Sequence, residues 1–580
     1  MTKNKGTLKR LAGYVGRYKL YFFLALVSAI VSNILMIIGP FIIGKGVDYI
    51  VDKNNVKFQP LLKIAAILLI LYCVSAVFQW IFQVLSSIIS NRTIEDLRKE
   101  VFDNLSNLHL RYYDRNPHGE ILNKLTNDME FISDGIYQAI TQFLSGIVAI
   151  IGSLTFMCIL SVKITLVVIL MTPVCFFIAS FITTRSNSLF KEQSKTIGEL
   201  NGYIEEIMSN EKVVKAFGYE KRSEEKFREI NGRLYKCGRW SQFYSSLVNP
   251  STRLVNNITY ILLGITGGIA ALSGRLSIGN ISSFLTYSNQ FSQPINNITS
   301  VSTQLQGALA SAGRVFALLD EKPEEQERED MPVLSDIQGN IKFTNVAFSY
   351  SPDKPLIEDF NLEVKRGEKV AIVGPTGAGK TTIVNLLMRF YENSKGKMLV
   401  DGVDITSVTK DSLRKSFGMV LQETWLFSGS IRDNISYGKN DATDEEIIAA
   451  AKAANAHSFI KRLPNGYNTI ISEGGENLSQ GQRQLLTIAR AMLELPPMLI
   501  LDEATSSVDT RTEAKIQQGF FKMMKGRTSF VIAHRLSTIR DADLILVLNN
   551  GHIEEQGNHE ELLKKKGFYY KLYNSQFDAE

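Results

Sequence analysis

The chain has 580 residues, a formal net charge of +6 and a hydrophobic fraction of 45%. A chain of this length exceeds what one hydrophobic core organises, so we expect at least two domains. The positive charge is mild for so long a chain, and it gives no indication of nucleic acid as a partner.

The first half of the chain is predicted to cross a membrane six times. Six stretches contain no Asp, Glu, Lys or Arg and are each long enough for a bilayer, namely residues 20–43, 64–91, 135–162, 164–184, 254–274 and 276–313. So many stretches of this kind cannot share one soluble core. The sixth carries many amide side chains, whose exposure to lipid would be costly. They are Asn280, Asn289, Gln290, Gln293, Asn296, Asn297, Gln304 and Gln306. We expect these amides to line a protein interior or a wet cavity, or else to bond neighbouring helices.

Basic residues indicate the orientation of these spans. Six Lys and Arg residues precede the first span, and the connections 92–134 and 185–253 carry many more, whereas the other connections are short. Because positive residues stay on the cytoplasmic side, we predict a multi-pass protein of the cell membrane with a cytoplasmic N-terminus. Six crossings return the second half of the chain, and with it the C-terminus, to the cytoplasm.

The two long connections are predicted to be helical arms below the membrane. Apolar residues recur at helical spacing through Leu97, Val101 and Leu105, and a turn signal follows at Asn116-Pro117. The second connection repeats this plan, with its tip within residues 204–219. Such arms can transmit motion to the membrane, although a solvated helical hairpin has the same spacing.

A charged run at residues 320–330 reads as an exposed connector, and the hydrophobic period changes after it. We therefore divide the chain into a transmembrane domain at 1–320, a linker at 321–338 and a nucleotide-binding domain at 339–580. From residue 340 onward the alternation of apolar and polar residues predicts strands.

The second half is organised around a glycine-rich loop at residues 374–381. An apolar run ending at Val373 predicts a buried strand before the loop, and helical spacing follows it. In this context backbone N–H groups, a helix N-terminus and the ammonium group of Lys380 surround an anion, while Thr381 offers a hydroxyl to Mg²⁺. The sequence therefore predicts binding of a nucleoside triphosphate.

Two further segments add polar groups to this domain. A buried parallel strand ends in Asp502 and Glu503, so Asp502 can reach the Mg²⁺ shell while Glu503 orients the attacking water. Ser479 is a good N-cap for an apolar helix and provides a second helix N-terminus suited to an anion. One ATP does not need two such sites from one chain. We therefore expect two domains arranged head to tail, each completing the other's nucleotide site.

Along the chain there follow the phosphate loop, Gln422, Leu478–Gln482, Asp502-Glu503, Ser507-Val508-Asp509 and His534. These motifs, in that order, resemble the ATP-binding cassette proteins, and with six spans ahead of them the whole chain resembles an exporter-type half-transporter. The resemblance implies a membrane all-α six-helix domain with long cytoplasmic helical extensions, fused to an α/β P-loop nucleotide-binding domain. It also implies a dimer with two ATP sites between the cassettes.

The resemblance also implies roles for individual residues. Adenine would stack on Tyr350, and the phosphates would be held by Gly374, Thr376, Gly377, Gly379, Lys380, Thr381 and Thr382. Mg²⁺ would be held by Thr381, Gln422 and Asp502, and catalysis would use Glu503, His534 and Gln422. The partner's γ-phosphate would be reached by Ser479, Gly481 and Gln482, and the dimer seam would include Asp509. Residues 116–126 and 204–217 would be coupling helices, sensed by the loop around Glu473.

One residue departs from the family pattern. The family usually has two glycines after the serine, and Gln480 replaces the first of them. Together with an intact Glu503, this is similar to one subunit of the bacterial heterodimeric drug exporters, in which one ATP site is weak. We therefore favour a heterodimer with a second half-transporter over a homodimer.

The function predicted from the sequence is ATP-driven export of amphipathic, drug-like or lipid-like compounds, with ATP and Mg²⁺ as cofactors and membrane lipid as the surroundings. The near-absence of charge in the spans and their many amides and aromatics suit such cargo. The alternatives are a lipid flippase and, from a different class, a non-transporting ATP-gated channel or regulator.

Overall fold

The computed structural model describes residues 2–50, 56–324, 327–328, 330–351, 353–421, 424–439, 441–502, 508–533 and 536–577. It forms two compact units. The membrane unit comprises Met1–Leu108 and Asn116–Lys322, and the cassette unit comprises His109–Arg115 and Pro323–Glu580. The predicted fold class, a helical membrane domain fused to an α/β nucleotide-binding domain, is confirmed.

The membrane unit consists of helices. In chain order they are α1 (Thr2–Val15), α2 (Lys19–Asp48), α3 (Phe58–Ser106), α5 (His118–Leu125), α6 (Asn127–Gln138), α7 (Leu144–Leu160), α8 (Val162–Ser209), α9 (Glu211–Ala216), α10 (Glu220–Leu272) and α11 (Ile278–Leu319). A π-helical turn, Ala139–Phe143, joins α6 to α7. Helix α4 (Leu110–Arg115) groups with the cassette unit.

Within the described residues, five helical segments are long and apolar enough to cross a membrane, namely Gly6–Asp48, Phe58–Ser106, His118–Leu160, Val162–Ser209 and Glu220–Leu272. Helix α11, which contains nearly all of the sixth predicted stretch, has 42 residues and is not among these segments. The count of six spans remains a prediction. Helix α3 has 49 residues, so it is about 74 Å long and extends far beyond a bilayer core of about 30 Å.

Helix α11 packs closely against α2 because glycines face each other across the contact. A Cβ atom added to Gly279 would lie 1.9 Å from the carbonyl oxygen of Gly44. At the same place the carboxylate of Asp48 accepts a hydrogen bond of 2.8 Å from the backbone N–H of Gly279. The end of α2 therefore caps the first turn of α11, where backbone N–H groups have no partner within the helix.

The described residues of the cassette unit form three sheets. Its strands are β1 (Ile341–Phe348), β2 (Ile357–Val364), β3 (Lys369–Val373), β4 (Lys395–Val400), β5 (Val403–Asp404), β6 (Phe417–Val420), β7 (Gly429–Ser430), β8 (Ile470–Ile471), β9 (Met498–Asp502), β10 (Thr528–Ile532), β11 (Leu544–Asn549) and β12 (His552–Gly557). The large sheet has the order β12-β11-β3-β10-β9-β6 and is parallel except for β12. An antiparallel sheet has the order β2-β1-β4-β5, and β7 pairs with β8.

Helices of the cassette unit cover the large sheet. They are α12 (Lys380–Leu387), α13 (Lys410–Lys415), α14 (Ile431–Ser436), α15 (Asp444–Ala453), α16 (His457–Ile460), α17 (Gln480–Leu493), α18 (Thr510–Met524), α19 (Leu536–Arg540), α20 (His559–Lys565) and α21 (Phe568–Phe577). Strands β3, β9 and β10 are almost wholly buried, as their unbroken apolar runs predict for parallel strands covered on both faces.

Two acidic side chains of the charged linker contact the cassette unit, while the other described residues of the run 320–330 are exposed, as its composition indicates. Glu324 forms an ion pair of 2.7 Å with the Lys410 ammonium group, and Glu327 accepts a hydrogen bond from the Lys410 backbone N–H. Burial is the largest single effect and raises the pKa of Glu324, but the hydrogen bond from Lys410 and the positive charges of Lys410 and Arg414 together keep the pKa below its usual value. Both acidic side chains are therefore bound at the start of α13, Glu324 by the Lys410 ammonium group and Glu327 by the main chain.

Candidate functional site

The glycine-rich loop connects β3 to α12 at the carboxyl edge of the large sheet. Gly379 is the N-cap of α12 and has φ of +99°, a left-handed conformation that favours glycine. A Cβ atom on Gly374 would lie 2.3 Å from the carbonyl oxygen of Leu548 on β11. Glycine at these positions allows the loop to turn tightly around a phosphate group, so the residues present fit ATP.

Lys380 begins α12 and is the cation of this loop. Its ammonium group donates hydrogen bonds to the carbonyl oxygens of Gly374 and Pro375, at 2.8 and 3.0 Å. Burial lowers the pKa of Lys380 below its usual value, and the nearby charge of Asp502 partly offsets this effect. The structure thus brings together the predicted phosphate-binding lysine and the predicted metal-binding aspartate.

Strand register explains why these two residues lie at the same edge of the sheet. Strand β10 lies between β3 and β9, and Ile532 pairs with Ile372 on one side and with Asp502 on the other. The carboxyl ends of the three strands are therefore level, and ligands of open α/β sheets bind beyond that edge. Thr381, in the first turn of α12, and Asp502 offer the oxygen ligands that Mg²⁺ prefers.

The metal requires few protein ligands at such a site. Among the described residues there is no cluster of three or more His, Cys, Asp or Glu side chains able to hold a metal ion. Mg²⁺ is commonly held by one or two protein groups together with phosphate oxygens and water, so Thr381 and Asp502 fit it. The three residues predicted to carry catalysis, Gln422, Glu503 and His534, lie outside the described residues, and their roles remain predictions.

Tyr350 lies against α12 beside the loop. Its hydroxyl donates to the Thr382 hydroxyl at 3.3 Å and accepts from the Asn385 amide at 3.2 Å. The ring also makes edge contacts with Phe348 and Tyr391. Thr382 is buried and serves as a partner of this ring, so its predicted phosphate contact and the stacking of adenine on Tyr350 both remain predictions. Thr376, which is exposed, and Gly377 lie in the loop, and their predicted contacts with phosphate also remain predictions.

The second predicted anion site is the N-terminus of α17. Ser479 and Gln482 form a reciprocal capping box: the Gln482 backbone N–H donates to the Ser479 hydroxyl at 3.3 Å, and the Ser479 backbone N–H donates to the Gln482 side-chain oxygen at 3.0 Å. A Cβ atom on Gly481 would lie 2.5 Å from the methyl carbon of Thr512. Gly481 therefore permits close packing of α17 against α18.

Asp509 begins α18 in the same region. Its carboxylate accepts a hydrogen bond of 2.9 Å from the Thr512 backbone N–H, and this bond lowers the pKa of Asp509 below its usual value. Ser479 is exposed, as a contact to a partner's phosphate requires. Neither this contact nor the position of Asp509 at a dimer seam is tested by the geometry of one chain.

Helix α4 forms contacts within the cassette unit that the sequence did not indicate. The Tyr391 hydroxyl donates to the Asp114 carboxylate, and the guanidinium groups of Arg111 and Arg115 donate to the Tyr350 carbonyl at 3.2 and 3.3 Å. We expected the coupling helix at residues 116–126, but the segment that groups with the cassette is His109–Arg115, just before that range. A run of alternating charge and Tyr residues between two helices was the available signal.

The membrane unit contains a cavity of about 440 Å³ between α2, the π-helical turn with α7, and α11. The amides of Asn33, Gln142, Gln290 and Gln293 line it together with apolar side chains and Ser145, and none of the lining residues is charged. Two of the amides predicted to face an interior or a cavity, Gln290 and Gln293, therefore do so. Asn296 and Asn297, also in that prediction, have side chains outside the described set.

Known proteins share this arrangement. Residues 22–295 match the family described as the ABC transporter transmembrane region, and residues 357–506 match the family described as ABC transporter. The chain is 43% identical over 575 residues to an uncharacterized ABC transporter ATP-binding protein, YfiC, of Bacillus subtilis (strain 168), covering 99% of this chain and 95% of the relative.

Two further proteins are similar over most of the chain. A fatty acid ABC transporter ATP-binding/permease protein of Mycobacterium tuberculosis (strain CDC 1551 / Oshkosh) is 43% identical over 523 residues, covering 90% of this chain and 83% of the relative. The structure of a bacterial Atm1-family ABC exporter with ATP bound superposes with a TM-score of 0.76 at 30% identity, covering 97% of this chain and 98% of that chain.

Proposed function

The chain belongs to the ATP-binding cassette transporters as a half-transporter that hydrolyses ATP to drive export, and we propose that its cargo is an amphipathic, drug-like or lipid-like compound. The transporter works as a dimer, with a heterodimer favoured because of Gln480. It lies in the cell membrane, with both termini in the cytoplasm, where ATP is available.

The observation that carries this cargo class is the cavity in the membrane unit. It combines apolar side chains with uncharged amides and has a volume of about 440 Å³, within the range of pockets that hold drug-sized molecules. Such a lining suits a molecule with an apolar body and a polar group. A relative with 43% identity is described as a fatty acid transporter, which supports lipid-like cargo for this chain.

The residues of the cassette act on ATP as follows. The loop N–H groups and Lys380 bind the phosphates, and Thr381 and Asp502 would hold Mg²⁺, which would neutralise charge on the phosphates. Glu503 orients the attacking water, Gln422 senses the Mg²⁺ and water, and His534 contacts the γ-phosphate. Ser479 and Gly481 reach the nucleotide of the partner cassette.

ATP binding drives the membrane unit between two states only if ATP binds one state more tightly. A differential affinity of about 5.5 kcal/mol shifts a two-state equilibrium from 1:99 to 99:1. Closure of the cassettes provides this difference, and the helical arms transmit it to the spans. Hydrolysis then resets the transporter.

The test uses inverted membrane vesicles and an amphipathic fluorescent dye. Glu503→Gln should keep ATP binding but lose hydrolysis and ATP-dependent dye accumulation by about 100-fold or more, as for other single catalytic groups. Lys380→Ala should weaken both ATP binding and turnover. The surface variant Glu445→Gln on α15 should behave as the parent protein. Near-normal turnover in Glu503→Gln refutes Glu503 as the base, and ATP hydrolysis without vectorial accumulation favours a channel or regulator.

A further inference from the structure

Two polar atoms at the wall of the membrane cavity have no hydrogen-bond partner among the described residues. They are the side-chain oxygen of Gln290 on α11 and the hydroxyl oxygen of Ser145 on α7, and both are buried. Buried polar groups in proteins are almost always satisfied, because an unsatisfied one costs about 1–3 kcal/mol. Both residues line the same cavity, and rotation of either side chain would present its oxygen atom to a molecule there, which can then supply the missing partner.

The backbone adds a further acceptor at the same place. Pro294 lies inside α11 and has no N–H to donate to the carbonyl of Gln290, four residues earlier. Pro294 also lines the cavity, and a Cβ atom on the facing Gly146 would be 3.4 Å from it. Gln290 thus carries two acceptor groups, one in its side chain and one in its main chain, next to the cavity.

The shape of the opposite wall supports a binding site. A π-helical turn at Ala139–Phe143 interrupts the helix that joins α6 to α7, and three of its residues, Ala139, Gln142 and Phe143, line the cavity. Single π-helical turns are rare and occur frequently at functional sites. Here the turn gives the wall both an amide and an aromatic ring.

The charge of the lining restricts the ligand. No Asp, Glu, Lys, Arg or His is among the lining residues, so an ionised ligand would be buried without a counter-ion. The acceptors on Gln290 need a donor, and the Ser145 hydroxyl can both donate and accept. We propose that the cavity binds a neutral amphiphile whose hydroxyl or amide N–H groups donate to Gln290, and this inference rests on the proposed function. The cavity would bind such a molecule in preference to fatty-acid anions and to cationic amphiphiles.

Photoaffinity labelling in inverted vesicles tests this selection on the full transporter. Three diazirine probes share a hexadecyl-length chain: an analogue of 1-monopalmitoylglycerol, an analogue of palmitate and an analogue of hexadecyltrimethylammonium. The neutral probe should label peptides covering residues 33–37, 139–150 and 290–305, and unlabelled monopalmitoylglycerol should compete. Each charged probe should label these peptides at least about tenfold less, because an unpaired buried charge is costly.

Substitutions at Gln290 and Ser145 test whether the labelling depends on their unpaired oxygen atoms. Gln290→Met keeps the side-chain length but removes the acceptor, so labelling by the neutral probe should fall about tenfold. Ser145→Ala should lower it to a smaller extent, which provides a second variant if Gln290→Met does not elute as a folded protein. The matched control Gln304→Met lies on the same helix, is exposed and does not line the cavity, so it should leave the labelling unchanged.

The outcomes separate this site from the export function. Equal labelling by the charged probes, labelling outside these peptides, or unchanged labelling in both Gln290→Met and Ser145→Ala overturns the inference. If the same vesicles still accumulate the dye with ATP, export stands while the inference fails. If the neutral probe labels the cavity but no compound is moved, the site stands and the export of amphiphiles fails.

Discussion

Among the described ion pairs of the membrane unit, the pair between α6 and α11 contains the most buried charged side chain, Asp128. Its side chain is 1% exposed, and Arg314 of α11 donates to both carboxylate oxygens, with a distance of 2.9 Å from the guanidinium Nε. Burial is the largest single effect and raises the pKa of Asp128, but hydrogen bonds from Arg314 and Ser311 together with the charges of Arg314 and Lys124 hold the pKa below its usual value. The pair joins the start of α6 to the end of α11.

At this scale we predict that Asp128→Asn lowers the free energy of unfolding of the membrane unit. The expected loss is about 1–3 kcal/mol, because charged hydrogen bonds are worth that much and the half-exposed Arg314 regains water. Chemical denaturation in detergent, followed by the fluorescence of Trp80 and Trp240, measures it. In the double variant Asp128→Asn/Arg314→Gln the losses should be less than additive, and strict additivity would contradict the pairing.

The pH dependence of this contribution follows from the direction of the pKa shift. A carboxyl group whose pKa is lowered by folding stabilises the protein above its unfolded pKa of about 3.9. The contribution is lost as pH falls through the lower pKa of the folded state. The difference in stability between the parent protein and Asp128→Asn should therefore be constant near neutral pH and shrink only below about pH 4.

At the scale of helices, the contact of α2 with α11 depends on two glycines. A methyl group on Gly279 would collide with the main chain of Gly44, which cannot rotate away, so the helices must separate. We predict that Gly279→Ala destabilises the membrane unit by about 1–3 kcal/mol, the usual cost of overpacking. Thermal unfolding in detergent measures it.

The matched control for this substitution is Gly268→Ala, inside α10. No described atom lies within 4 Å of the added carbon, so this variant should be neutral or gain up to about 1 kcal/mol of helix propensity. Equal melting temperatures for the two variants would show that the contact between α2 and α11 tolerates the methyl group.

Helix α4 is the second element whose role can be tested. The Tyr391 hydroxyl donates to Asp114, and burial together with this carboxylate raises the pKa of Tyr391 well above its usual value. Tyr391→Phe removes the hydrogen bond but keeps the ring against Phe348 and Tyr350. We predict that ATP hydrolysis persists while the number of cargo molecules moved per ATP falls several-fold.

Vesicle transport and phosphate release measured on one preparation give this ratio. Tyr570→Phe on α21 is the control, since it removes a tyrosine hydroxyl elsewhere in the cassette unit. Asp114→Asn should reproduce the effect of Tyr391→Phe from the other side of the bond. An unchanged ratio in both variants would show that α4 does not couple through this contact.

For the molecule as a whole, hydrophobic periodicity and loop motifs in the sequence predict the individual elements. Local patterns predict the phosphate loop, the buried strands β3, β9 and β10, and the apolar spans. Each of these elements can be recognised from the apolar and polar residues within its own segment. Contacts between segments that are distant in the chain cannot be predicted from such local patterns. The pairing of Gly44 with Gly279 and the meeting of Gln142 with Gln290 at one cavity depend on helix packing.

The position of α4 shows the same limit on a smaller scale. The turn at Asn116-Pro117 is visible in the sequence, but the choice of which flanking segment contacts the cassette is not. The amides of the sixth stretch are a partial exception, because the sequence alone predicted something about their surroundings. Their cost in lipid predicted an interior position without specifying the cavity, and Gln290 and Gln293 line it.

The last prediction concerns the assembly. Gln480 is the first residue of α17, directly after the capping box residue Ser479, where the family usually has glycine. If a partner chain supplies the better signature, this chain expressed alone should be a monomer or a dimer with little ATPase activity. Its mass in nanodiscs and its turnover beside Glu503→Gln measure this. In a dimer of this chain alone, Gln480→Gly should raise turnover several-fold, whereas Ser479→Ala should not. A stable dimer of the parent chain with full Glu503-dependent turnover would instead make it a homodimer that tolerates Gln480.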